Sequence, residues 1–149
     1  MSKKENLKKL ALYLFGKRSS RSFSMESYCV RPYHMFHNSH SYFVDVCDAE
    51  KHLCGTVACA AGHGPRAGIK PTKDDECWGD YIGRVFTSST YRLAWCFASY
   101  WRSIDNTPRG AACRIAYMLE YGVPDKDSKQ YSYDNCLKLG RKVLENWVS

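Results

Sequence analysis

No apolar run in the sequence approaches the ~20 residues that span a bilayer, which excludes a membrane-spanning helix. The opening MSKKENLKKLALYLFGKRSS has the outline of a signal peptide. Its apolar stretch is too short, charge interrupts it, and no small-residue cleavage site follows. That stretch is expected to be a folded amphipathic helix, and the protein to stay in the cytoplasm. There is no G-x-x-x-x-G-K-[ST] phosphate loop and no G-x-G-x-x-G dinucleotide fingerprint. The tight C-x2-C pairs of zinc fingers and knuckles are also missing. Without a repeat, a low-complexity tract or a linker, residues 1–149 are expected to form a single domain.

What is present is the composition of a globular chain. Of 149 residues 44% are hydrophobic and 14% aromatic, with eleven tyrosines and four tryptophans. Such side chains pair an apolar body with a polar tip and serve cores and binding clefts alike. Lys and Arg number 22 against 15 Asp and Glu, a net charge of +7. The excess favours anionic partners, although part of it is the run Ser2-Lys3-Lys4 and the pair Lys8-Lys9, which suit the solvated face of a helix. Eight cysteines in a reducing cytoplasm are expected to be mostly buried small apolar residues rather than a disulfide framework.

The apolar pattern predicts a mainly α (α+β) fold: a compact domain of about five to six helices, with a small β-hairpin or extended ribbon near residues 23–50. Leu7, Leu10, Ala11, Leu14 and Phe15 give the first helix one stripe, over about Lys4 to Phe15, and Gly16 stops it. Ser27 to Val30 and Ser41 to Val46 have the β-branched and aromatic bias of two short strands around the turn His37 to His40. A short helix is expected from near Thr56 to Gly62 or Gly64. Trp78, Tyr81, Ile82 and Val85 space as another. A further helix, capped at Ser88 or Ser89, would carry Leu93, Trp95, Cys96, Phe97, Tyr100 and Trp101. Thr107 as N-cap, Pro108 at the first position, the stripe Ala111, Ala112, Ile115, Met118 and Leu119, then Gly122 and Pro124, define the clearest helix. A last helix spans roughly Tyr133 to Val148. Its Gly140 either weakens it or lets a neighbouring helix approach.

Cys54 to Pro65 is the most unusual stretch. Cys54, Cys59 and His63 can supply metal ligands, with Cys47 or His52 as a fourth, but their spacings of four and three intervening residues do not match zinc motifs. Cys59 and His63 fall on one helical face, yet no orienting group or oxyanion hole accompanies them. Gly55 and Thr56 at a helix start can offer free N–H groups to an anion. The plain alternative is a close helix crossing made of small residues, with His63 hydrogen-bonded near the helix end. No metal and no cofactor is expected. After this stretch, Arg66, Lys70, Lys73, Arg84, Arg92, Arg102, Arg109 and Arg114 interleave with Trp78, Tyr81, Tyr91, Trp95, Tyr100 and Trp101. Such mixtures suit nucleotides and single-stranded nucleic acid, and equally a core of aromatics under surface arginines.

Cys54-Gly55-Thr56-Val57-Ala58-Cys59-Ala60-Ala61-Gly62-His63-Gly64-Pro65 and Ala67-Gly68-Ile69 resemble a family of small proteins of bacteriophages and prophages. Trp95-Cys96-Phe97, Asp105-Asn106-Thr107-Pro108-Arg109-Gly110-Ala111-Ala112, and Arg114-Ile115 through Glu120-Tyr121-Gly122-Val123-Pro124 resemble the same family. The similarity covers roughly Cys54 to Pro124. It implies a phage or prophage origin and a role in the host cytoplasm, but brings no activity or catalytic residue. By analogy of genetic context, such accessory proteins act against host defences, either by binding a host protein or by sequestering a signalling nucleotide.

The resulting expectation is a non-catalytic phage accessory protein that binds an anionic small molecule, a nucleotide. Its expected contacts are Thr56, His63, Arg66, Trp78 and Arg109. Inhibition of a host protein through exposed aromatics is the second expectation, and nucleic-acid binding the third. Homo-oligomerisation is left open. The Ala111-Ala112 pair is expected to pack on the segment after Thr56, with Arg109 and Arg114 at the open edge of that junction.

Overall fold

A computed structural model describes residues 2–16, 23, 25, 29–30, 57–71 and 77–149. Thr56, the turn at 37–40 and the expected strand at 41–46 lie outside the described residues. Helix α1, Lys3–Phe15, starts where Ser2 caps it: the Ser2 side chain accepts from the Glu5 N–H at 3.1 Å. Leu7, Leu10, Ala11 and Leu14 are buried along one stripe, and Gly16 ends the helix as its sequence predicts. Asn6 lies beside that stripe and is also buried. Its Nδ2 donates to the Val85 carbonyl at 3.0 Å, which satisfies a polar group the core could not otherwise hold.

Strand β1, Cys29–Val30, pairs antiparallel with β2, Val57–Ala58, in the register Cys29 to Ala58 and Val30 to Val57. This corrects the short helix expected from near Thr56. Val57 is β-branched and pairs as a strand, and a single 3-10 turn, Ala61–His63, follows. Gly62 and Gly64 each disfavour α-helix by ~1 kcal/mol, and Pro65 has no N–H to continue one. The chain instead turns repeatedly, with Ala67 N–H donating to the His63 carbonyl and Ile69 N–H to that of Gly64. The first arm of the expected hairpin thus contains β1, whose partner among the described residues is β2.

The rest is helical: α2 is Trp78–Val85, α3 Thr90–Phe97, α4 Trp101–Ile104, α5 Pro108–Tyr121 and α6 Tyr133–Val148. The structure is mainly α, with six α-helices among the described residues. One expected helix is two. The α3 helix stops at Ala98, which is extended at ψ 142°, and Trp101 opens the separate single turn α4. The break lets Trp101 fold back on Trp95, edge to face at 5.4 Å between ring centroids.

Helix α5 follows its sequence signals closely. Thr107 Oγ1 accepts from the Gly110 N–H at 3.0 Å, Pro108 occupies the first turn, and Gly122 ends the helix at φ 85°, where a side chain would be strained. Its extensive contacts are with α6 and α1. Ala111 and Ala112 are fully buried in the same core as Ala60 and Ala61. The turn after β2 also meets α1, with the His63 ring 6.0 Å from that of Tyr13. Gly140 supplies the α5–α6 contact: a Cβ there would collide with the Cys113 carbonyl. Of the two roles open to Gly140, close approach is the one realised.

Candidate functional site

The expected ligand contacts separate once placed. His63 is fully buried, stacked on Phe23 at 5.9 Å, so it meets no ligand from solvent without rearrangement. Arg66 lies close enough to Tyr13 to act on it electrostatically, and Arg109 sits 5.3 Å over the Phe15 ring. Of the two, Arg109 is the one seated on the last turn of α1. Trp78 packs edge to face on Tyr81 at 5.7 Å, on α2. Among the described residues no group of three His, Cys, Asp or Glu side chains is placed to hold a metal ion, and Cys47, His52 and Cys54 lie outside them.

Three of the described thiols are not poised for attack. Burial pushes Cys96 up to about 12 and Cys113 up to about 11, and it raises Cys136 as well. Each stays protonated near neutral pH, whereas a nucleophilic cysteine needs the opposite shift.

The densest polar network was invisible to composition. Arg114, grouped by its sequence with cations open to an anion, is fully buried within α5. Its Nη1 donates to the Tyr133 hydroxyl at 2.8 Å, and Tyr133 donates to Asp105 Oδ2 at 2.8 Å. The other Asp105 oxygen accepts from Thr107 at 2.6 Å. Asp105 Oδ2 lies 3.9 Å from Arg114 Nη1, a loose ion pair bridged by the phenol. The guanidinium sits 4.2 Å from the centre of the Trp101 ring, and its Nε and Nη2 have no hydrogen-bond partner among the described residues. Stacking on the indole gives these otherwise bare donors an attractive electrostatic neighbour. Gly110 makes the arrangement fit, because a Cβ there would strike the Asp105 carboxylate. Burial also raises the Tyr133 phenol, so it remains a hydrogen-bond donor. The network joins α5, α6 and the loop between α4 and α5.

In front of that network lies an open cavity of about 790 Å³. Helix α3 contributes Thr90, Tyr91, Ala94 and Trp95, and Tyr100 follows from the break before α4. The loop after α5 closes it with Val123, Pro124, Asp125, Lys126 and Asp127. Helical spacing explains the first set, since positions 90, 91, 94 and 95 share one face. Tyr91 is 79% exposed and presents its ring at the mouth of this apolar lining. Lys126 places its ammonium 4.6 Å from the Tyr100 ring centre and 4.7 Å from that of Trp101, and donates to the Tyr100 hydroxyl. Beyond Pro124 and Asp125 a second, smaller cavity of about 190 Å³ is lined by Tyr117, Ser128, Tyr131 and Asn135. Neither cavity is lined by His63, Arg66, Trp78 or Arg109.

Sequence reasoning named Tyr91, Trp95, Tyr100 and Trp101 as an aromatic group but missed Lys126 and the loop that brings it to them. The available signal was Gly122-Val123-Pro124, a helix stop that turns the chain back across its own start. No helix of the described residues is long and apolar enough to cross a membrane. Comparison with protein-family models, with curated proteins and with solved structures finds no match to this chain.

Proposed function

We propose that the chain is a non-catalytic binding protein whose site is the cavity between α3 and the loop after α5, and whose occupant is a segment of another protein. The observation that carries this reading is the lining itself. Tyr91, Trp95, Tyr100, Ala94, Val123 and Pro124 form an apolar wall under a rim of Asp125, Lys126 and Asp127. Exposed tyrosine beside buried tryptophan, apolar at the centre and charged at the edge, is the anatomy of a protein interface. The two aspartates disfavour a polyphosphate there, and His63, Arg66, Trp78 and Arg109 do not line it. On the resemblance to phage proteins, the partner is a host protein of the bacterial cytoplasm, a component of its defences.

The test is capture of a stoichiometric partner from host lysate by the wild-type chain, compared with Tyr91→Ala and Ala94→Arg. Both variants should retain the wild-type melting temperature and lose capture, by about thirtyfold in affinity for a central anchor. Capture that survives both variants overturns the cavity as the site.

One observation favours the anionic-ligand reading as a second: Arg109 sits over Phe15 at the end of α1, and the field of Arg66 is felt at Tyr13 in the same turn. That reading predicts thermal stabilisation by a linear or cyclic nucleotide, abolished by Arg109→Ala and unaffected by Tyr91→Ala. Nucleic-acid binding, the third reading, predicts an affinity that falls steeply with salt.

A further inference from the structure

Lys126 lies where a ligand would. Its ammonium is 4.6 Å from the centre of the Tyr100 ring, 4.7 Å from that of Trp101 and 5.8 Å from that of Trp95. Three aromatic faces around one ammonium make a cation box, because each ring presents the negative side of its quadrupole. The box adjoins the 790 Å³ cavity, which Trp95, Tyr100 and Lys126 line and behind which Trp101 is buried. Lys126 itself is exposed and sits in a loop, tied by its hydrogen bond to Tyr100. Being exposed and held by one hydrogen bond and by ring contacts, the side chain can swing out at small cost.

The surrounding charge points the same way. Asp125 and Asp127 flank the lysine and line the same cavity. With Lys126 in place the cavity lining carries one positive and two negative charges; with Lys126 turned away the lining keeps the two carboxylates, while Arg114 stays buried against the Trp101 ring, engaged by Tyr133 and Asp105. The chain as a whole is basic, at +7, so this wall is a local reversal of sign. Aromatic faces combined with carboxylates select a cation and reject an anion.

We propose that the Trp95–Tyr100–Trp101 box receives a lysine side chain of the protein partner, and that Lys126 is the resident occupant which the incoming lysine displaces. This rests on the cavity being the binding site. The partner's ammonium takes the place of the Lys126 ammonium over the three rings, its apolar stem lies along Ala94 and Val123, and the flanking aspartates face its charge.

The test follows the indole Nε1–H resonances of Trp95 and Trp101 while acetyl-Ala-Lys-Ala-amide is added. Controls are the norleucine peptide, which keeps the stem without the charge, and choline, a free quaternary ammonium. Lys126→Met should bind the lysine peptide about five- to tenfold more tightly than wild type, as the competing ammonium is gone. Asp125→Asn with Asp127→Asn should weaken it. Equal binding of the norleucine peptide, or no gain in Lys126→Met, overturns the proposal. Binding of choline without binding of the lysine peptide overturns the partner's lysine as the source. If the box fails these tests while Tyr91→Ala still abolishes partner capture, the cavity stands as the site and only its cationic occupant is wrong.

Discussion

Two cations of this chain share the Trp101 indole and are held in opposite ways. Arg114 is fully buried, 4.2 Å from the ring centre, and is fixed by Tyr133 and, more loosely, by Asp105. Lys126 is exposed, 4.7 Å from the same ring centre, and is tied only by the Tyr100 hydroxyl and the ring faces. Arginine suits the inner position because its planar guanidinium lies flat on an indole while donating sideways, and because it is weakly hydrated. Lysine suits the outer one because its ammonium is a compact charge on a flexible stem. The region around Arg114 is therefore framework, and the region around Lys126 is exchangeable surface.

That contrast is broken most directly by Arg114→Ala. Removal of the buried cation leaves the Asp105 carboxylate and the Tyr133 hydroxyl without their partner. Loss of one member of a buried pair costs about 3–5 kcal/mol, which urea denaturation should show. A loss under 1 kcal/mol would make Arg114 no more structural than Lys126.

Alkali should sharpen the same contrast. Burial raises Cys96 from its ordinary value of 9 to about 12. A group whose folded value is raised stabilises the fold fully below its unfolded value, and that contribution is lost as pH rises from there towards the folded value. Stability should thus be level below about pH 8 and fall above pH 9, by about 2–3 kcal/mol at pH 11 from Cys96 alone. Cys113 and Tyr133, raised for the same reason, add to the loss. Melting temperatures measured across that range should fall monotonically, and Cys96→Ala should shallow the slope.

Tyr133→Phe removes the bridge between Arg114 and Asp105 and leaves Nη1 without its acceptor. The expected loss is about 1–3 kcal/mol, read by the same denaturation. Thr107→Ala should cost about 1 kcal/mol through the lost α5 cap, and slightly more because Thr107 also donates to Asp105. Lys126→Met closes the series with an effect on stability within about 0.5–1 kcal/mol, the value of an exposed cation–aromatic contact. If Lys126→Met instead matches Arg114→Ala in calorimetry, the outer region is framework too.

The parts of the fold legible beforehand are those with local causes. The sequence marks Thr107 as a cap, and it accepts from the Gly110 N–H; Ser2 and Ser132, which the sequence pattern did not single out, cap α1 and α6 in the same way. The turn after β2 was misjudged because alanine propensity argued for helix while Val57 and the Gly-x-Gly-Pro ending argued against it. The break between α3 and α4 was missed because Tyr100 and Trp101 continue the apolar character of Trp95 to Phe97 without a glycine or proline to mark the stop.

The candidate site divides in the same manner. Position 114 falls three residues after Ala111 on the buried face of α5, so helical periodicity already placed it inside; its residue type argued the reverse. What decided the matter lies far along the chain: Asp105, nine residues before, and Tyr133, nineteen after, converge only when α6 packs on α5 through Gly140. Tyr91 and Trp95 share a helical face by spacing alone, but the wall opposite them is the loop after Gly122, which no periodicity brings there. Caps, stripes and stops thus follow from the sequence by itself, because they act over three or four residues. The burial of Arg114, the seat of Lys126 and the cavity between α3 and the 123–127 loop depend on pairs distant in sequence, so only tertiary packing could decide them.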